Sequence, residues 1–158
     1  MTPILQQLTI NHIQALTADA YPYLYVDRIT ELKPGEYVKG YKNVTFNEWF
    51  FPTHFKDDPI MPGMLQIEAL TQLFTYVFLT LPGNEKKPIN ILEVDGVKLR
   101  QRVVPGQKLE MEVETLSWKR GIGIGKGKGM VENKVVCEGQ IKICMPDMLK
   151  NIVPKELK

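Results

Sequence analysis

Only two cysteines and two histidines occur among the 158 residues. Two cysteines cannot build a disulfide scaffold, and the four residues together leave no margin for a zinc site of four Cys or His ligands. No metal is therefore expected. An excess of one charge sign is missing too. The 20 basic and 18 acidic side chains leave a formal charge of +2, which argues against nucleic acid as the main partner. Long unbroken apolar runs are also absent. The most apolar stretch, Met64 to Leu81, is interrupted by Gln66, Glu68, Thr71, Gln72, Thr75 and Thr80. A membrane span needs about 20 mostly apolar residues, so this stretch is read as a helix buried in protein, with no membrane span expected. The first residues lack a basic leader followed by a long apolar segment. A cytoplasmic protein with reduced cysteines is the expectation. A histidine-dependent mechanism has only His12 and His54 to draw on.

What is present fits one domain spanning residues 1–158, with 44% hydrophobic residues and enough length to bury a core. Residues 1–16 are read as a short amphipathic helical segment in which Ile4, Leu8 and Ile13 cover something. Tyr23 to Ile29 is an aromatic and β-branched run. After Pro34-Gly35, residues Glu36 to Thr45 alternate in strand fashion, with Val38, Gly40, Lys42 and Val44 on one face. Phe46 to Pro62 is irregular and punctuated by proline. Met64 to Thr80 is the one long helical pattern, ended by Leu81-Pro82-Gly83-Asn84. Ile89–Leu99, Lys108–Lys119, Ile122–Glu132 and Val135–Cys144 are strand candidates, and the tail from about 146 to 158 is placed on the surface. A helix that is apolar nearly all round must be covered on most sides. The pattern therefore predicts an α+β fold, with a curved antiparallel sheet wrapped around one long central helix. The strands after Ile89 follow too closely for parallel crossovers.

Three weaker signals are weighed against bland alternatives. Gly121 to Gly129 places glycine at every odd position, which fits neither a phosphate loop nor a dinucleotide fingerprint. It suits a strand with one bare face. Cys137 and Cys144 lie on one predicted strand, on opposite faces and some ~20 Å apart, so they do not pair. The basic residues Lys98, Arg100, Arg102, Lys119, Arg120, Lys126 and Lys128 read first as solvated strand faces. They read alternatively as a docking patch for an acidic protein or a phosphate-bearing carrier.

The chemically informative stretch runs from Trp49 to Gln72. His54 lies in an aromatic, proline-rich loop, where a partly buried neutral imidazole can accept a proton. His12, by contrast, has no acid or nucleophile pattern around it and is read as a solvated surface residue. Gly63 opens the helix, so unpaired backbone N–H groups and the positive dipole end can polarise a carbonyl oxygen. Glu68 is the only charged residue between Met64 and Leu81. A lone carboxylate on a buried helix is costly unless paired or used, and desolvation raises its pKa towards that of a working acid. Glu68, Thr71, Gln72 and Thr75 form one polar stripe at helical spacing. The bland alternative is a Glu that reaches the surface or a backbone donor, with His54 a satisfied loop residue.

At this point a resemblance enters. Phe50-Phe51-Pro-Thr-His54-Phe55, Pro59-Ile-Met-Pro-Gly63 and Glu68-Ala69-Leu70-Thr-Gln72 resemble the active-site signature of 3-hydroxyacyl-acyl-carrier-protein dehydratases. Tyr21-Pro-Tyr-Leu-Tyr-Val-Asp-Arg28, Gly40-Tyr-Lys-Asn-Val-Thr45 with Asn47-Glu48, and Val103-Val-Pro-Gly106 follow in family order, from about Ile10 to Ile143. The resemblance implies a hot-dog fold and a homodimer with a continuous sheet, either alone or within a trimer of dimers. It also implies dehydration of a 3-hydroxyacyl thioester, carried on the phosphopantetheine arm of acyl carrier protein, to the trans-2-enoyl product without metal or organic cofactor. By position, His54 would take the proton from C2. Glu68 of the other subunit would protonate the leaving hydroxyl, directly or through water, and the Gly63 N–H would bind the thioester carbonyl. Phe50, Phe51, Phe55, Gln72, Phe74 and Leu99 are the candidate lining of the acyl tunnel. Lys98, Arg100 and Arg102 are the candidate carrier-docking group.

A glutamate at position 68 is similar to the FabZ-type branch, which dehydrates without isomerising. Trp49-Phe-Phe and Asp58-Pro59 look like the FabA branch, which also isomerises. Other positions depart from the family pattern: Thr17-Ala-Asp-Ala20, Thr53, Lys56-Asp57, Leu99 and Arg102. They suggest a divergent member serving a specialised carrier or acyl chain. The rivals are an acyl thioesterase on the same fold and a non-catalytic acyl-carrier-binding subunit, although a binder has no need of a buried acid.

Overall fold

The computed structural model describes residues 5–149. Its elements in chain order are β1 (Leu5–Leu8), α1 (Ile10–Leu16), β2 (Arg28–Lys33), β3 (Tyr37–Asn43) and α2 (Gly63–Leu79), followed by β4 (Asn90–Leu99), β5 (Lys108–Lys119), β6 (Ile122–Val131), β7 (Lys134–Cys144) and α3 (Pro146–Leu149). The seven strands form one antiparallel sheet in the order β1-β2-β3-β5-β6-β7-β4. α2 packs against β3, β5, β6 and β7. A curved sheet around one long helix is the hot-dog arrangement expected from the sequence. No helix among the described residues is long and apolar enough to cross a membrane.

The wrap follows from α2. Thirteen of its 17 residues are buried, including Leu70, Leu73, Phe74, Tyr76, Val77 and Phe78. Each fully buried large apolar side chain contributes roughly 1.5–3 kcal/mol. The inward positions of β6 are glycines, and they accept the bulk of the helix. A Cβ at Gly125 would lie 2.6 Å from two carbons of the Phe74 ring. The glycine run is therefore a strand with a bare face, and the ring of Phe74 fills the space where side chains would stand.

The outward face carries a row of alternating charge across six strands. Glu31 pairs in register with Lys39, Lys39 with Glu112, Glu112 with Lys128, Lys128 with Glu138, and Glu138 with Lys98. Opposite charges on facing positions favour this register. A slip of one residue would turn the whole row inward. The basic residues of the second half are therefore mostly balanced by neighbours on adjacent strands.

One expectation changes. Residues 1–16 are not one helical segment. Leu5–Leu8 pairs with β2 as a strand, matching Leu5 to Leu32 and Leu8 to Ile29. The helix begins only after Thr9, whose carbonyl accepts the Ile13 N–H. The edge of β2 offers these residues a ladder, which overrides their helical spacing. Ile13 is buried as expected, while Ile4 lies outside the described residues. In the aromatic run from Tyr23 the strand β2 starts at Arg28, and the Tyr25 N–H is taken by the Gln72 side chain. Of the tail, Pro146–Leu149 is a short helix whose Met148 packs on Gly121, and residues 150–158 lie outside the description. Cys137 and Cys144 are free and buried.

Replacing Gly125 by Ala is expected to cost about 1–3 kcal/mol, because the added methyl displaces an aromatic ring in a filled core. Urea unfolding measures the loss. The Gly125→Ala/Phe74→Leu double variant should recover part of it.

Candidate active site

His54 sits at the end of a tight succession of turns. The Phe51 N–H donates to Glu48 O, and the N–H groups of Thr53 and His54 donate to Phe50 O. The start of this segment is anchored twice. Glu48 Oε1 meets Lys42 Nζ at 2.7 Å, and that lysine also holds Asp27 at 3.2 Å. Lys42 is buried at 7% exposure, so its charge survives only because two carboxylates and the Asn43 carbonyl surround it. Its place on the inward face with Val38 and Gly40 was legible from the strand alternation. Its function as an anchor was not.

The loop beyond His54 closes on itself. The Ile60 N–H donates to His54 O at 2.9 Å, and His54 Nδ1 lies 2.9 Å from Ile60 O. A carbonyl oxygen only accepts, so Nδ1 carries the hydrogen in this contact. In the neutral ring Nε2 is then left with a lone pair, ready to take a proton. His12 shows the opposite arrangement: its Nδ1 accepts the Thr9 N–H at 3.1 Å, on the exposed start of α1. Of the two histidines, one caps a helix and the other is held by a backbone carbonyl through Nδ1.

The base-bearing loop leads directly into α2. Met61 N–H donates to Val103 O at 2.8 Å, and Pro62 O receives the N–H groups of Leu65 and Gln66. Gly63 and Met64 are thus the first-turn residues whose N–H groups precede the helical ladder. A Cβ at Gly63 would stand 2.4 Å from Leu99 Cδ1. Only glycine admits this close approach at the positive end of the helix.

Glu68 lies one and a half turns further along. Burial raises its carboxyl pKa above the ordinary value of 4.5, and the nearby Asp19 charge adds to the rise. The hydrogen bond from Gln72 opposes them. Gln72 Nε2 donates to Glu68 Oε1 at 3.0 Å and to Tyr23 O at 2.9 Å, while its Oε1 accepts the Tyr25 N–H at 2.8 Å. Every polar atom of the amide is engaged, so Gln72 fixes one oxygen of the Glu68 carboxyl. The rest of the polar stripe turns inward: the hydroxyls of Thr71 and Thr75 donate to carbonyls of the same helix.

No hydrogen bond or ion pair joins His54 to Glu68 among the described residues. Five helical steps lead from Gly63 to Glu68, which places them about 140° apart around the axis. Among the candidate tunnel residues, Phe50, Phe51, Gln72 and Phe74 are buried in the protomer core, whereas Phe55 and Leu99 are about half exposed. Phe55 stacks on His54 with ring centres 4.2 Å apart. Lys98 and Arg100 both lean on Glu138, at 3.7 and 3.2 Å, and Arg102 pairs with Asp58 on the His54 loop. A 680 Å³ groove on the outer sheet face, lined mainly by charged residues such as Lys39, Glu112 and Lys128, contains none of the candidate catalytic or tunnel residues. The buried Cys137 thiol is pushed up to about 11, chiefly by desolvation, and stays protonated.

Comparison with known proteins gives a consistent result. A family model described as a FabA-like domain matches residues 18–140. The chain is 44% identical over 138 residues to a 3-hydroxyacyl-acyl-carrier-protein dehydratase FabZ of Roseiflexus castenholzii, covering 87% of this chain and 96% of that one. It is 43% identical over 143 residues to the FabZ of Acetivibrio thermocellus, covering 90% and 98%. The dehydratase heterocomplex ApeI:P of Xenorhabdus doucetiae superposes with a TM-score of 0.75 at 15% identity, over 90% of this chain and 97% of that one. A hypothetical thioesterase of Streptococcus pneumoniae, solved with coenzyme A, gives a TM-score of 0.58 at 11% identity over 73% and 82%. At these identities the two structures establish the fold alone.

The raised acid has a consequence for stability. Its folded-state pKa exceeds its unfolded value, so the native state binds the proton more tightly. The contribution of Glu68 to stability is therefore fullest below pH 4.5 and is lost as pH rises through the folded-state value. Glu68→Gln, which copies the neutral acid, should melt above the wild type at pH 8, and the difference should vanish in acid. Thermal melts across that range provide the check.

Proposed function

The chain belongs to the FabA-like family, with 3-hydroxyacyl-acyl-carrier-protein dehydratases as its relatives, and we propose that it removes water from a 3-hydroxyacyl thioester on acyl carrier protein, using His54 as base and Glu68 as acid. The observation that carries the residue assignment is the complementary setting of the two groups. His54 Nδ1–H is committed to Ile60 O, which leaves Nε2 to accept, while burial raises the Glu68 carboxyl above its ordinary pKa and the Gln72 bond fixes one of its oxygens. Nε2 would take the proton from C2. The N–H groups at Gly63 would receive the negative charge growing on the thioester oxygen. The free oxygen of Glu68 would deliver its proton to the departing 3-hydroxyl, giving water and the trans-2-enoyl thioester. No step calls for a metal or an organic cofactor.

His54 and Glu68 of one protomer do not meet, which supports a site completed by a second copy. β4 supports it as well. It is the last strand of the sheet, and Ile91, Leu92, Val97 and Leu99 are exposed along it. An unpaired apolar edge of ten residues is a template for pairing with the same edge of another chain. The result would be a homodimer with a continuous sheet. Carrier docking falls, on the same reading, to Lys98, Arg100 and Arg102. Their existing partners Glu138 and Asp58 mean that an acidic carrier exchanges one exposed ion pair for another, which keeps the gain small and salt-sensitive. Action on a carrier-borne substrate supports a cytoplasmic location.

Purified protein supplied with 3-hydroxyacyl carrier protein should form the conjugated enoyl thioester. His54→Ala and Glu68→Gln should each lose roughly 10²-fold in kcat or more. Neither assignment survives if turnover is unchanged. Release of free carrier thiol instead would identify a hydrolase. Mixing the two inactive variants and letting subunits exchange should restore about a quarter of wild-type turnover, because mixed dimers hold one intact shared site. Reversing the charges of Lys98, Arg100 and Arg102 should raise KM and leave kcat near wild type.

A further inference from the structure

The base and the acid are carried by different segments, and one residue touches the support of both, through its side chain on one side and its backbone on the other. Tyr25 has no exposed surface. Its backbone N–H donates to Gln72 Oε1 at 2.8 Å, and the same Gln72 donates to Glu68. Its phenolic oxygen accepts the indole N–H of Trp49 at 3.1 Å. Trp49 immediately precedes Phe50, whose carbonyl receives the His54 N–H at 2.9 Å. The Tyr25 ring is itself wedged edge-on to Tyr23 at 5.0 Å and tilted against Phe50 at 6.4 Å. A rigid ring held in this way can transmit position with little loss, because it has few rotamers to explore.

Trp49 is otherwise weakly held. Its side chain is 47% exposed and meets the Phe50 ring edge-on at 5.7 Å. Without the Tyr25 oxygen its N–H would turn to water, and the turn that follows would lose a fixed starting point. The phenol is unsuited to proton transfer. Burial, assisted by the Tyr23, Glu48 and Glu68 groups and only partly offset by the Trp49 bond, keeps it protonated well above neutral pH.

We propose that Tyr25 is a positioning residue for the dehydration. Its hydroxyl aims the His54 turn through Trp49, and its backbone N–H seats Glu68 through Gln72. This rests on the dehydratase reading above. In a site shared between two copies, each Tyr25 would set the base of one site and the acid of the other.

The test compares Tyr25→Phe, Trp49→Phe and the double variant with the wild type in the dehydration assay. Tyr25→Phe removes one oxygen and no packing volume, so kcat should fall about 10-fold with KM within about twofold. Trp49→Phe, on the surface side of the bond, should do the same, and the double variant should be no worse than either single one. Independently of activity, the Trp49 indole N–H resonance should shift and exchange faster with solvent in Tyr25→Phe, while that of Trp118 stays in place. Unchanged kcat in Tyr25→Phe, losses that multiply in the double variant, or an unmoved Trp49 resonance would each overturn the proposal. Absence of enoyl product from the wild type would count against the dehydratase reading instead, and the Trp49 resonance would then decide the tether alone.

Discussion

The structure is organised by the need to cover α2. A helix with apolar side chains in nearly every direction cannot rest on a flat sheet, because half of it would remain in water. The sheet must curve, and curvature brings β6 so close to Phe74 and Phe78 that side chains on its inner face are excluded. The glycines of β6 and the bulk of the helix are two halves of one packing solution. What the wrap leaves open is the first turn of the helix, beside Gly63, together with the flank bearing Glu68. The candidate chemistry is placed at these openings.

Enclosing such a helix also governs the fate of its polar residues. Gln72 lies inside the fold with a side-chain amide that water can no longer satisfy. It is satisfied instead by Tyr23, Tyr25 and Glu68, and that settlement orients the acid. Lys42 follows the same logic on the other side of the site, where its buried charge is stabilised by Asp27 and Glu48 and so fastens the start of the His54 turn. Burial penalties here do more than stabilise. They convert otherwise mobile side chains into fixed supports.

Charge is distributed by the same sheet. The sequence gathers basic residues in the second half of a chain whose totals, 20 basic and 18 acidic, nearly balance. In the fold, Lys98, Arg100 and Lys128 all have carboxylates beside them, most of these on neighbouring strands. The outer face is a checked pattern with little net field, so attraction of an acidic carrier would be a local effect at the end of β4.

The sequence by itself determined the elements that depend on near neighbours. The helix from Gly63, the strands from Asn90 onwards and the turns between them follow from apolar period and from Pro and Gly breakers. The candidates His54, Gly63 and Glu68 follow from one of only two histidines, a glycine that opens the helix and a lone carboxylate on an apolar helix, set in a recognisable order. Tertiary structure alone decided whatever joins distant residues. It made a strand of Leu5–Leu8, set β4 at the free edge, and paired the basic residues with acids on other strands. It also chose which nitrogen of His54 carries the hydrogen, and joined Tyr25 to Gln72 across 47 positions. Local period reports which face of an element is apolar, but it holds no record of which partner will cover that face. That choice is made only when burial forces each polar group to find one.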